Sequence, residues 1–189
     1  MTQTTTVPGA RRAPLDRRGA VRPHLGAGLL AALAAITVNA LLLQIAHPLG
    51  IKTGGSALQR LLATVLRPLI AHSGLAHGWG ATGLPAPGSL PFALAFHDAT
   101  GLAMAALYVI ALEPRLPGPP TVKGLLFGLL PWLVNALLVL PLLDQGALGL
   151  SALPRAGVAY FFVANAVFGI LLGVLYARVR DRRRVSSAA

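Results

Sequence analysis

Four stretches of the chain are nearly unbroken runs of apolar residues, at 25–46, 92–112, 122–143 and 157–177. A helix rises about 1.5 Å per residue, so roughly 20 residues cross the ~30 Å hydrocarbon core of a bilayer. Lipid offers no partner for backbone amides, so each run predicts one transmembrane helix and the chain predicts an all-α, four-helix membrane protein. A signal-peptide reading of the first run fails on length, because such a core holds about 7 to 15 apolar residues.

The first connection, 47–91, is too long to be a turn. Within it Leu58, Leu61, Leu62, Val65 and Leu69 recur at helical spacing, while Arg60, Thr64 and Arg67 share another face. This pattern predicts an amphipathic helix lying on the membrane surface, and two Arg with Pro68 oppose a fifth span. Residues 80–91, GATGLPAPGSLP, carry Gly and Pro punctuation and predict an irregular lead-in to the second span.

The first and third spans also resemble each other. GLLAALAAITVNALL, from Gly28, matches GLLFGLLPWLVNALL, from Gly124, at nine of fifteen positions, with Gly28 on Gly124 and Asn39 on Asn135. The second and fourth spans match more faintly, with Gly101, Leu107 and Tyr108 on Gly169, Leu175 and Tyr176, and His97 on Asn165. Two helical hairpins entering from the same side are expected, as parallel repeats about an axis along the membrane normal. The long connection is then an insertion in the first copy.

Composition agrees with a membrane protein and adds an orientation. Of 189 residues 55% are hydrophobic and 11% charged, with 16 Lys and Arg against 5 Asp and Glu. Arg11, Arg12, Arg17, Arg18 and Arg22 precede the first span, and Arg178, Arg180, Arg182, Arg183 and Arg184 follow or close the last. Arg115 and Lys123 fall on the same side. Lys52, Arg60, Arg67 and Arg155 lie opposite and are spread over more chain, so the positive-inside bias predicts both termini in the cytoplasm and a home in a bacterial inner membrane. The basic segments 1–24 and 179–189 read as tails, the first disordered, around a 25–178 membrane domain. They carry no interleaved aromatics and topology accounts for their charge, so they are not read as nucleic-acid arms. The absence of cysteine excludes disulfides, thiolate metal sites and thiol catalysis.

Polar side chains within the spans are few, and they fall at one level. Asn39 and Gln44 lie late in the first span, His97, Asp98 and Thr100 early in the second, Asn135 late in the third and Asn165 early in the fourth. His47 closes the first span in the same layer. Small residues at four-residue spacing, as in Ala31, Ala35 and Asn39 or His97, Gly101 and Ala105 or Asn165, Gly169 and Gly173, turn these groups toward neighbouring helices. Asn39, His47, His97, Asp98, Asn135 and Asn165 are therefore the candidate ligand-binding residues. Interhelical hydrogen bonding is the bland role for the Asn, but an ionisable pair such as His97 and Asp98 inside a span points by default to a functional site. No complete metal-ligand set, nucleophile motif or recognisable cofactor signature is present, so neither an enzyme nor a metal site is expected and any cofactor is unknown.

AHPLG closing the first span, the long insertion, a His early in the second span, KGLLFGLLPWLVNALLVLPLL and a Gly-bearing last span together resemble the YagU-like bacterial inner-membrane proteins of unknown function. The likeness covers about residues 26–178. It implies a four-helix inner-membrane protein with His clustered between helices, at His47 and His97 here, with Asn135 and Asn165 where the family tends to have His. The leading expectation is a non-enzymatic inner-membrane protein that binds a small polar or amphiphilic ligand at the polar layer. The alternatives are an accessory subunit of a membrane complex and a small transporter working as an oligomer. Apart from lipid, partners are expected only through glycine stripes that can serve a homo-oligomer or larger complex as readily as the bundle itself.

Overall fold

The computed structural model describes residues 17–73, 82–86 and 88–186. Among them α1 is Arg17–Ala46, α2 is Ala57–Ser73, and α3 is Leu90–Leu107 continued by a π-helical turn at Tyr108–Leu112. Helix α4 is Pro120–Val134, widened into a π turn at Asn135–Val139 and ended by Leu140–Leu142, and α5 is Arg155–Ser186. Four segments are long and apolar enough to cross a membrane: Gly26–Ala46, Leu90–Leu112, Pro120–Leu142 and Arg155–Arg182. The all-α, four-span reading of the sequence therefore holds.

Several boundaries differ from expectation, each for a local reason. Helix α3 starts at Leu90, ahead of residue 92, because Ser89 Oγ accepts the Phe92 N–H at 3.3 Å and Pro91 sits in the first turn, where its missing N–H costs nothing. Helix α1 already runs from Arg17 and α5 continues to Ser186, so part of each expected tail is helix. Arg is a good helix former, and a helix has no reason to stop where the hydrocarbon does. The disordered tail expected over 1–24 is otherwise residues 1–16, outside the described ones, as are His77 and part of the lead-in at 80, 81 and 87.

The spans form an open ring. Helix α1 packs between α3 and α5, and α5 packs along α4, but α3 and α4 make no extended contact with each other. The tightest seam joins α4 to α5. A Cβ on Gly124 or Gly169 would run into the other's carbonyl, one on Gly128 into the Asn165 carbonyl, and one on Gly173 into the Pro120 carbonyl. The stripes predicted to serve either a bundle or an oligomer are consumed here within the bundle. Between α1 and α5, Asn39 Nδ2 donates to the Ala164 carbonyl at 2.8 Å and Tyr160 Oη to the Leu42 carbonyl at 2.6 Å.

At the end bearing the chain termini the ring is pinched shut. The Tyr108 ring lies 5.1 Å from Phe127 and 6.3 Å, edge-on, from Tyr176, and Phe127 lies 6.3 Å from Phe168. Beyond them Glu113 Oε1 meets Arg180 Nη1 at 2.8 Å and Lys123 Nζ at 3.5 Å, tying the end of α3 to α4 and α5. At the opposite end α2 covers the bundle. Ala57, Leu58 and Leu61 pack with Val139, Leu140 and Leu153, whereas Leu62, Val65 and Leu66 stay exposed, so only the first part of the expected apolar stripe is used. Leu29, Leu33, Leu41, Ile110, Leu137 and Val163 are exposed, an apolar outer surface that suits a lipid surrounding.

Candidate functional site

The gap between α3 and α4 is a cleft of about 390 Å³, walled behind by α1 and α5 and roofed by Gly55, Leu58 and Gln59. Its upper wall carries Asn39, His97, Thr100, Asn135 and Asn165, one or two polar groups from each of the four spans. Lower down the lining becomes Ile36, Met104, Leu107, Leu130 and Phe168, ending near the aromatic cluster. Leu107, Leu130 and Val134 line the cleft and are also 43%, 39% and 45% exposed, so its mouth opens sideways, where lipid would lie.

These polar groups are not equivalent. Asn39 is buried and spends its amide N–H on Ala164 of α5. Asn165 returns its N–H to the Phe161 carbonyl one turn back in its own helix, at 2.8 Å. Asn135 Oδ1 is buried and has no hydrogen-bond partner among the described residues. A buried amide oxygen without a partner costs about 1 to 3 kcal/mol unless something donates to it.

The backbone explains why Asn135 is different. Pro131 and Pro141 lack N–H groups, and between them the helix widens so that the Leu140 N–H reaches the Asn135 carbonyl, five residues back. The π turn begins at Asn135 itself, and such single widened turns recur at functional sites. Asn39, its partner in the sequence comparison, sits on a regular helix.

His97 lines the cleft and also a second cavity of about 630 Å³ above it, at the α2 end. His47 and Gln44 line that second cavity and not the cleft, so the expected layer is split into two levels that meet at His97. Asp98 is a correction. It is exposed and lines neither cavity, because successive helical positions point about 100° apart and His97 takes the inward one. Among the described residues no three His, Cys, Asp or Glu side chains converge as a metal site would require. His72 is exposed, its Nδ1 at 2.6 Å from the Pro68 carbonyl.

Sequence reasoning missed Gln59, Lys52 and Arg60. Gln59 lines both cavities, and Lys52 and Arg60 line the upper one. Helical periodicity placed Arg60 on the polar side of α2, but periodicity does not say that this side overlooks a cavity.

No protein-family model matches the chain, and neither curated proteins nor solved structures contain a match to it.

Proposed function

We propose that the protein is a multi-pass inner-membrane protein that binds an amphiphilic ligand in the cleft between α3 and α4, the ligand's polar part against Asn135, His97 and Thr100 and its apolar part against Met104, Leu107, Leu130 and Phe168. One observation carries this reading: among the described residues the buried Asn135 Oδ1 has no partner, while it lines a cleft with an apolar floor and a sideways mouth between two spans. Tyr108 Oη and Trp132 Nε1 are also buried without a partner among the described residues but line neither cavity. What supports the reading is therefore the coincidence of a free acceptor with the cleft, whereas Asn39 spends its amide on Ala164. A donor on the ligand, a hydroxyl or amine, complements the free oxygen.

The same reading takes the α2 end as periplasmic, from the charge distribution, and takes the two hairpins as copies of one ancestor within a YagU-like group. Convergence of the paired positions supports common descent: Asn39 and Asn135, and His97 and Asn165, line one cleft, and Tyr108 meets Tyr176. Holding the ligand is favoured over transport, because the cleft ends on the Tyr108, Phe127, Phe168 and Tyr176 rings and the Glu113 ion pairs lie beyond.

The test is native mass spectrometry of the full chain released from its own membrane, wild type beside Asn135→Leu and Met104→Trp. Retained amphiphile on the wild type, and its loss from both variants at unchanged unfolding temperature, is the expected result. A bare wild-type protein, or variants that keep the amphiphile, would overturn the reading.

A further inference from the structure

The upper cavity differs chemically from the cleft beneath it. Its lining includes Lys52, Arg60 and His47 but no Asp or Glu. The ion pairs of Glu113 and Asp181 lie at the other end of the bundle, and among the described residues neither Lys52 nor Arg60 has a carboxylate partner. Arg60 is instead held by a neutral group: with its amide oriented to accept, Gln145 faces both Nη1 and Nη2 at 3.2 Å. Ser56 and Gln59, at the start of the 17-residue helix α2, complete that side, and the positive end of the helix dipole adds to the field. Two unpaired cations, one of them a planar guanidinium suited to oxyanions, make a cavity that favours a phosphate group.

The two cavities also share a wall. Leu43, Gly55, Gln59, Ala93 and His97 line both. We infer that they form one site for a phosphate-bearing single-chain lipid, its headgroup between Lys52 and Arg60, its free backbone hydroxyl donating to Asn135 Oδ1 and its chain passing His97 into the cleft. The inference rests on the cleft being a binding site and adds to it the class of ligand. His97 then stands at the junction of headgroup and chain, where its ring can donate to a phosphate or ester oxygen.

The experiment uses the full chain in nanodiscs of dioleoylphosphatidylcholine doped with oleoyl lysophosphatidic acid or with monooleoylglycerol, which has the same chain and a free hydroxyl but no phosphate, followed by native mass spectrometry. Retention of the lysophosphatidic acid should exceed that of the monoacylglycerol by about tenfold. Lys52→Gln with Arg60→Gln should erase that excess, and the charge-conserving pair Lys52→Arg with Arg60→Lys should keep most of it. Both positions are exposed, and the charge-conserving pair controls for folding. Undiminished retention by the neutral pair, or displacement of the lipid by millimolar inorganic phosphate, would overturn the headgroup assignment. If both lipids are retained equally and both are lost on Asn135→Leu, the cleft stands and the headgroup site falls. If neither is retained, both fall.

Discussion

The two helix pairs, α1 with α3 and α4 with α5, are alike in sequence and unlike in packing. In the second pair the seam positions are Gly124, Gly128, Gly169 and Gly173, and the backbones touch along it. In the first pair the corresponding positions are Gly28, Ala32, Gly101 and Ala105. A Cβ on Gly101 would meet the Ile36 side chain at 2.6 Å, and one on Gly28 the Val109 side chain at 2.8 Å. Side chains can rotate away and carbonyls cannot, so the second pair forms a rigid wall and the first a more adjustable one.

A similar inequality separates the two interfaces between the pairs. An ideal two-fold arrangement would make the α1–α5 and α3–α4 contacts equal. Instead α1–α5 is closed by the Asn39 and Tyr160 hydrogen bonds, and α3–α4 stays apart. The cleft lies at the interface that stays open. Asn39 spends its amide on the closed interface, and Asn135 is left over at the open one.

Substitutions can press on each inequality. Gly169→Ala should cost about 3 kcal/mol or prevent accumulation, against about 1 kcal/mol for Gly101→Ala, measured by unfolding in mild detergent. Equal losses would mean that the two seams are equally tight after all. Glu113→Gln removes the carboxylate that pins the first pair to Lys123 and Arg180, and about 1 kcal/mol of stability should go with it. The difference from wild type should shrink in molar salt, and a difference indifferent to salt would assign Glu113 another role. Asn39→Leu should cost about 0.6 kcal/mol for its interhelical hydrogen bond, while Asn135→Leu should cost nothing or stabilise slightly. A larger loss at Asn135 than at Asn39 would make Asn135 the structural member of the pair.

Much of the candidate site is legible in the sequence. Asn39, His97, Asn135 and Asn165 stand out because a polar group inside a span is expensive, and all four line the cleft. Asp98 stands out by the same rule and sits outside it, since hydropathy records depth along a helix and only weakly records azimuth. The special state of Asn135 was hidden because Pro131 and Pro141 announce a disturbed helix without saying where the widened turn will fall. Lys52, Arg60 and Gln59 were hidden for another reason: they belong to a loop and the first turn of a surface helix, whose position over the bundle depends on contacts with Leu140 and Leu153 far along the chain.

Taken alone, the sequence determined the number of spans and that their polar groups gather toward one end of the bundle, because both follow from the cost of exposing amides and side chains to hydrocarbon at a given position along one helix. Which helices touch, which seam closes and which amide is left without a partner were decided only in the folded bundle. Those outcomes depend on how near two backbones can come, and that nearness is a property of pairs of helices, set by glycines facing glycines across a seam and by hydrogen bonds between residues more than a hundred positions apart.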